Sequence, residues 1–405
     1  MRRRSVAAAV AAATAVAAMA SAGSAASVPI GPGCPALYVV GVQGTGQSSP
    51  GADPLADTGM VGALLAPVLA AAPDLVQRSY IGYSAGFGGA VPGGGAAPYA
   101  VSVIEARRQL DAAVTQIAEM CPATMIAGVG YSQGAQAISG FAADVGAGAG
   151  PIGPDRIAGI ALYSNPDRAP AGPTFPGRPG QITPDPAPGT SGGAVSGVQI
   201  TNPPASGGGI ADGHIGYGAL TGRVADICTD GDLACSAPDA AALLRIGAEI
   251  AAQADLRDPV TALGSLQAVL SGALGDAWTT VVLNDFHVSA GNVDYVPQLS
   301  LADRLLEAAD PRSSVAGERG VAEGRWNEIT ATVAANPIAL LPKLAGQLSA
   351  AWGQLVADNA DLANPGVWLR YADTVARHTG YAASGQLNSG IAWMVALAHD
   401  IAGSR

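Results

Sequence analysis

The chain has 405 residues and a net charge of −11, with 49% hydrophobic and only 13% charged residues. No basic stripe interrupts this acidic balance, which argues against nucleic acid or an anionic lipid surface as a partner. The remaining composition suits a large buried core and two structural units.

The chain opens MRRRSVAAAVAAATAVAAMASAGSAAS, three arginines followed by an Ala/Val run and small residues. This reads as a secretory signal peptide, residues 1–26, with cleavage near Ala22 or Ala26, and places the protein outside the cell or in the cell envelope. No later segment reads as a membrane span. In an exported chain the four cysteines, Cys34, Cys121, Cys228 and Cys235, read as two disulfides, for which three pairings are possible.

Residues 36–43 form an apolar, β-branched run that suits a central strand ending in the turn GTGQSSPGADP. A helix is expected over 59–72 and a strand over 74–83. A long amphipathic helix follows over 100–120, with Val103, Ile104, Leu110, Val114 and Ile117 towards the sheet. After a further strand and helix across 124–142, another strand covers 156–166. This alternation predicts a parallel sheet covered by helices on both faces. Residues 167–209 turn to Pro, Gly, Ser and Thr and read as a surface excursion, a lid or a flexible stretch. The sheet resumes at 223–228. A helix is expected over 238–254, then a helical portion with a short strand TTVVL, a loop DFHVSAGNVDYVP and a helix LADRLLEAA. Residues 311–405 carry helical stripes and read as a C-terminal helical extension.

The stretch TMIAGVGYSQGAQAISGF, residues 124–141, places Ser132 on a corner between strand and helix. Its GYSQG is a G-x-S-x-G nucleophile elbow, in which small glycines allow the turn and the helix start aims N–H groups at the reacting atoms. With 55 glycines in the chain the pattern alone is weak, and GYSAG at 82–86 matches it too. Only Ser132 has a helix behind it, since Ser84 is followed by FGGAVPGGGAAP. A serine nucleophile also needs a base and an acid that orients the base. Asp232 lies within CTDGDLAC, residues 228–235, directly after a predicted strand; Asp230 in the same loop is the runner-up.

GYSQG, the C-x-x-x-D-x-x-C loop, Cys121 ahead of the elbow and Cys34 ahead of the first strand together resemble the cutinase family of serine esterases, over about residues 34–310. The larger actinobacterial members of this branch of the α/β-hydrolases are the most similar in character. The resemblance implies a cutinase-like α/β-hydrolase domain, disulfides Cys34–Cys121 and Cys228–Cys235, and Asp232 as the triad acid. It also implies an oxyanion hole at Thr45, in VQGTG, and at the backbone N–H of Gln133. Two features depart from it. Gln43 stands where members often have arginine, and no histidine lies soon after the disulfide loop.

Of four histidines, His214 precedes the acid, His378 falls near a helix end in the tail and His399 lies within the final helix. His287, between the expected strand TTVVL and a helix, is therefore the expected base. The functional expectation is a monomeric serine esterase or lipase, secreted or associated with the cell envelope, that hydrolyses carboxylic esters of lipid or polyester type with no metal or cofactor. Acyl transfer or thioester hydrolysis by the same triad is the alternative, and a non-catalytic envelope-binding protein that keeps the fold is another.

Overall fold

In a computed structural model of the chain, residues 27–211, 216–310 and 313–404 are described. The expected signal peptide and His214 lie outside them. Five strands, β1 (Leu37–Val42), β2 (Val76–Tyr80), β3 (Met125–Tyr131), β4 (Ile157–Tyr163) and β5 (Val224–Ile227), form one wholly parallel sheet in the order β2-β1-β3-β4-β5. The central strands are buried on both faces, which is why they read as continuous apolar runs rather than alternating ones. This is the α/β class expected from the sequence, a parallel sheet with helices on both faces.

One face of the sheet is covered by α2 (Tyr99–Met120) and α3 (Gln133–Gly146), with Leu110, Val114, Ile117, Ile138 and Phe141 in that core. Val103 packs half-buried against the same core, but Ile104 does not join Leu110 as expected. Ala106 and Ala113 take the sheet-facing stripe of α2, and Ile104 is exposed. The other face is covered by α1 (Gly59–Ala71) and by the last helix, α11 (Gln386–Gly403). Trp393, Met394, Leu397 and Ile401 of α11 are buried against the sheet, so the boundary expected at residue 310 does not separate a tail from the core. The excursion 167–209 is likewise part of this layer: Phe175, Val195 and Ile200 are buried in the same cluster.

Between β5 and α11 the chain leaves the sheet. It forms α4 (Ala242–Ala252), α5 (Pro259–Thr280), a hairpin of β6 (Phe286–Ser289) and β7 (Asn292–Tyr295), α6 (Leu301–Ala309), α7 (Arg319–Ala335) and α8 (Pro337–Ala357). Short helices α9 (Pro365–Arg370) and α10 (Thr374–Thr379) return it to the core. TTVVL is not a strand. It is the end of α5 and a π turn that continues it. The run Pro259–Asp285 is, by length and composition, long and apolar enough to cross a membrane; here α5 packs against α4, α6 and α7. The loop expected over 285–297 is the hairpin, fixed by a buried pair of Asp285 and Arg304 at 2.8 Å.

Disulfides join Cys34 to Cys121, below the first strand, and Cys228 to Cys235. One buried carboxylate stands apart from these. Asp226 on β5 is buried; its Oδ2 accepts from Asn165 Nδ2 at 3.0 Å, while its Oδ1 accepts no hydrogen bond among the described residues. Burial pushes it up to about 6, with Asn165 and Arg168 opposing. In the unfolded chain an aspartate releases its proton near ~3.9, so between that pH and about 6 the native state holds the extra proton and stability falls as pH rises. Asp226→Asn is expected to raise stability at pH 8 by up to about 3 kcal/mol and to bring no gain at pH 4. Denaturant unfolding of both proteins at the two pH values measures it, and an equal effect at both would remove the titration argument.

Candidate active site

The site begins at the turn between β3 and α3. Ser132 has φ 54° and ψ −122°, a conformation disfavoured for a residue with a Cβ, and its N–H donates to Tyr163 O at 2.9 Å. The two motif glycines make that turn possible. A Cβ at Gly134 would stand 2.2 Å from Val42 O, and one at Gly130 would stand 2.7 Å from Ala135 Cα. The end of β1 therefore lies directly against the start of α3. Ser84, by contrast, sits in a loop with no helix after it, its Oγ 3.0 Å from Ser102 Oγ.

Asp232 is held in the Cys228–Cys235 loop and is fully buried. Its Oδ1 accepts from Ala234 N at 3.1 Å and lies 2.9 Å from His378 Nδ1; its Oδ2 accepts from the Tyr381 hydroxyl at 2.8 Å. Burial alone would raise this carboxyl. The hydrogen bonds from His378, Ser164 and Tyr381, together with the imidazole's charge, hold it below the usual carboxylate range. Asp230 faces elsewhere, accepting from Ser206 N at 3.0 Å and Ser206 Oγ at 2.6 Å, and so ties the disulfide loop to residue 206.

The histidine beside this acid is His378, not His287. His287 is exposed on β6, paired with Asp294 of β7, on the helical segment between β5 and α9. The strand whose end was to carry it is helix. His378 stands on the last turn of α10, and that helix is fastened to the acid's loop. Leu233 N donates to Thr374 Oγ1 at 2.9 Å, and Arg377 Nη1 donates to Asp230 O at 2.6 Å. Its ring lies 5.2 Å from that of Tyr131, whose hydroxyl donates to His378 O at 2.7 Å. His399 is exposed on α11.

Ser164, Tyr381 and Tyr131 escaped the sequence reading. Ser164 ends β4 at φ 55°, is fully buried, and places its Oγ 2.9 Å from His378 Nδ1. The one available signal was the all-round apolar final helix, which had to bury in the core and bring the residues before it along.

Ser132, His378 and Thr45 line one cavity of about 650 Å³, with Tyr131, Phe87, Tyr99 and Gln136. Thr45 belongs to the turn after β1, and a Cβ at the preceding Gly44 would stand 3.2 Å from Ser132 Cβ. Gln133 opens α3; its side-chain amide donates to Gly86 O at 3.0 Å and Tyr99 O at 3.3 Å. Gln43 is not at the cavity. Its carbonyl side-chain oxygen accepts from Val61 N at 3.1 Å, and its amide donates to Thr58 O, which fixes the start of α1.

Residues 33–244, more than half of the chain, match the family model described as Cutinase. The chain is 28% identical over 216 residues to the carboxylesterase Culp6 homolog of Corynebacterium glutamicum, a match covering 51% of this chain and 66% of that relative, just under two thirds of its length. Among solved structures, the catalytic core domain of acetyl xylan esterase from Trichoderma reesei aligns at 18% identity and a TM-score of 0.36, over 58% of this chain and 99% of the other. A cutinase from the same organism, in complex with a phosphonate inhibitor, aligns at 14% identity and 0.29, over 57% and 77%.

Proposed function

The chain belongs to the cutinase family, and from that premise we propose that it hydrolyses carboxylic esters with Ser132 as nucleophile, His378 as base and Asp232 as the acid that orients it. The observation that carries this reading is the 2.9 Å contact of His378 Nδ1 with Asp232 Oδ1, on a ring that shares a cavity with an elbow serine. In this reading the ionised Asp232 accepts from Nδ1–H, which leaves Nε2 as the basic nitrogen. Nε2 takes the Ser132 proton as Oγ attacks the ester carbonyl carbon. It then gives the proton to the departing alcohol, and an acyl-enzyme remains. Water attacks the acyl carbon, His378 takes its proton and returns it to Ser132, and the carboxylic acid leaves. The backbone N–H groups of Thr45 and Gln133 are assigned to the developing oxyanion, which is usually the largest catalytic contribution.

Ser164 is assigned a positioning role. Its hydroxyl donates to Asp232 and receives part of the Nδ1–H bond, so it acts on the base through the acid. The non-catalytic alternative drew on the want of a well-placed histidine, and with His378 beside Asp232 that motive falls away. Two disulfides and membership of the family fit an oxidising, extracytoplasmic setting. Export by the leader 1–26, a monomeric state and association with the cell envelope belong to the same proposal.

His378→Ala is expected to lower kcat on p-nitrophenyl butyrate by about three orders of magnitude or more, while His287→Ala stays within about twofold of the parent. A fully active His378→Ala protein with native circular dichroism would refute the base assignment.

For the two look-alike serines, a fluorophosphonate probe should label the parent and the Ser84→Ala protein and leave Ser132→Ala unlabelled. Labelling of Ser132→Ala would move the nucleophile elsewhere.

Ser164→Ala should cost about tenfold in kcat and shift the lower limb of the pH–kcat profile, because Asp232 loses a donor that favours its ionised form. A fall in kcat with no movement of the pH profile would mark Ser164 as structural only.

A further inference from the structure

The cavity in front of Ser132 is larger than an ester carbonyl requires. Beyond Ser132 and His378 its 650 Å³ are lined by Phe87, Val103, Ile210, Ala248 and Ala252, a mostly apolar lining that Glu249 and Asp310 also reach. Volume and lining of this kind suit a long aliphatic group rather than an acetyl. One wall, Ala248 and Ala252, comes from α4 and lies beyond residues 33–244, outside the part of the chain that matches the family.

The helix is built with two distinct faces. Ile246 and Ile250 pack among Ala273 of α5 and Leu305 and Leu306 of α6, while Ala248 and Ala252, two positions further on, turn to the cavity, as a 3.6-residue period requires. The wall is seated firmly. Leu256 N, just past α4, donates to Gly88 O at 2.7 Å, and Gly88 belongs to the loop that carries Phe87 into the same cavity. Gly88 has φ +57°, and a Cβ there would stand 2.3 Å from Ala254 O, so only glycine lets the loop and the helix end meet this closely. Ala248 and Ala252 leave space on a cavity face that Glu249 of the same helix also lines, and a larger side chain at either alanine would fill it.

We infer that α4 is the acyl-chain wall of this site and that Ala248 and Ala252 set the length of the fatty acyl chain it admits. The inference rests on the ester-hydrolase reading for its catalytic end only. The chain of the ester lies along α4 with its carbonyl at Ser132, and each methylene buried against the wall adds to the selection of long over short esters.

The test uses the full chain and p-nitrophenyl esters of acetate, butyrate, octanoate, dodecanoate and hexadecanoate. The parent is expected to give a rising kcat/KM from acetate towards dodecanoate. Ala252→Phe, which fills the wall, should lower the ratio of kcat/KM on dodecanoate to that on acetate by about tenfold or more. Should Ala252→Phe not fold, Ala248→Leu on the same face should lower that ratio in the same direction. Independently of turnover, Ser132→Ala should bind dodecanoate by titration calorimetry, and adding Ala252→Phe should weaken that binding by about tenfold. A parent that favours acetate over every longer ester, a variant with an unchanged ratio, or dodecanoate binding indifferent to Ala252→Phe overturns the inference. Activity that survives Ser132→Ala would instead remove the hydrolase reading, and the calorimetric comparison would still judge the wall.

Discussion

The hydrogen bond between His378 and Asp232 joins two residues 146 apart in sequence, and the rest of the site depends on it. Neither partner is placed by its own helix or strand alone. Asp232 is confined by a disulfide seven residues long, for which chain entropy supplies a restraint of about 2.5 kcal/mol, and by the buried Tyr381. Tyr381 lies between α10 and α11, so it reads the position of the last helix and passes it to the acid. His378 is placed from the other side, by the contacts of α10 with the disulfide loop and by Tyr131 beside the nucleophile. What finally fixes the bond is the burial of α11 on the sheet: Trp393 and Leu397 are fully enclosed, and Trp393 meets Phe175 edge to face.

Local strain collects where the core is most rigid. Ser132 and Ser164 both have positive φ, both follow strands of the parallel sheet, and they are coupled: Ser132 N–H donates to Tyr163 O, and Ser164 N–H donates to Ile227 O at 3.0 Å. Each such residue costs about 1–3 kcal/mol and persists only where its surroundings leave no alternative. Here the surroundings are β3 and β4, buried on both faces. Two serines are thereby presented at the same end of the sheet, one towards the cavity and one towards the imidazole.

The five strands and the elbow were legible because each rests on a local signal: a β-branched run, a Gly-flanked serine, a helix period directly after it. The proposed acid was legible because two cysteines bracket it. The histidine was not, and the reasons are physical. TTVVL is β-branched and apolar, yet it ends a long helix, because packing of α5 on α4, α6 and α7 outweighs a weak propensity. That error supplied His287 with a strand end it does not have. The proposed base stands on a six-residue helix placed by bonds to the disulfide loop and to Tyr131, long-range contacts that no window around His378 contains. Ile104 failed for a related reason. A two-sided helix looks like a core stripe wherever its second face lines an apolar cavity instead of facing water.

The distance in sequence between the proposed acid and base follows from the same arrangement. Because α10 and α11 are held by contacts with the sheet and the disulfide loop, the length of chain between β5 and α9 has little influence on where His378 ends up. The entropic cost of closing a loop grows only with the logarithm of its length, so an insertion of helices there is tolerated as long as its ends return together. α4 to α8 and the β6–β7 hairpin meet that condition by forming their own apolar clusters, around Val282, Phe286 and Tyr295 and around Ile246 and Ile250. A segment that folds on itself and is not asked to position the proposed triad is free to shape what lies in front of it. α4 stands at the cavity, so the part of the chain least constrained by the proposed chemistry is the part placed to choose the acyl group.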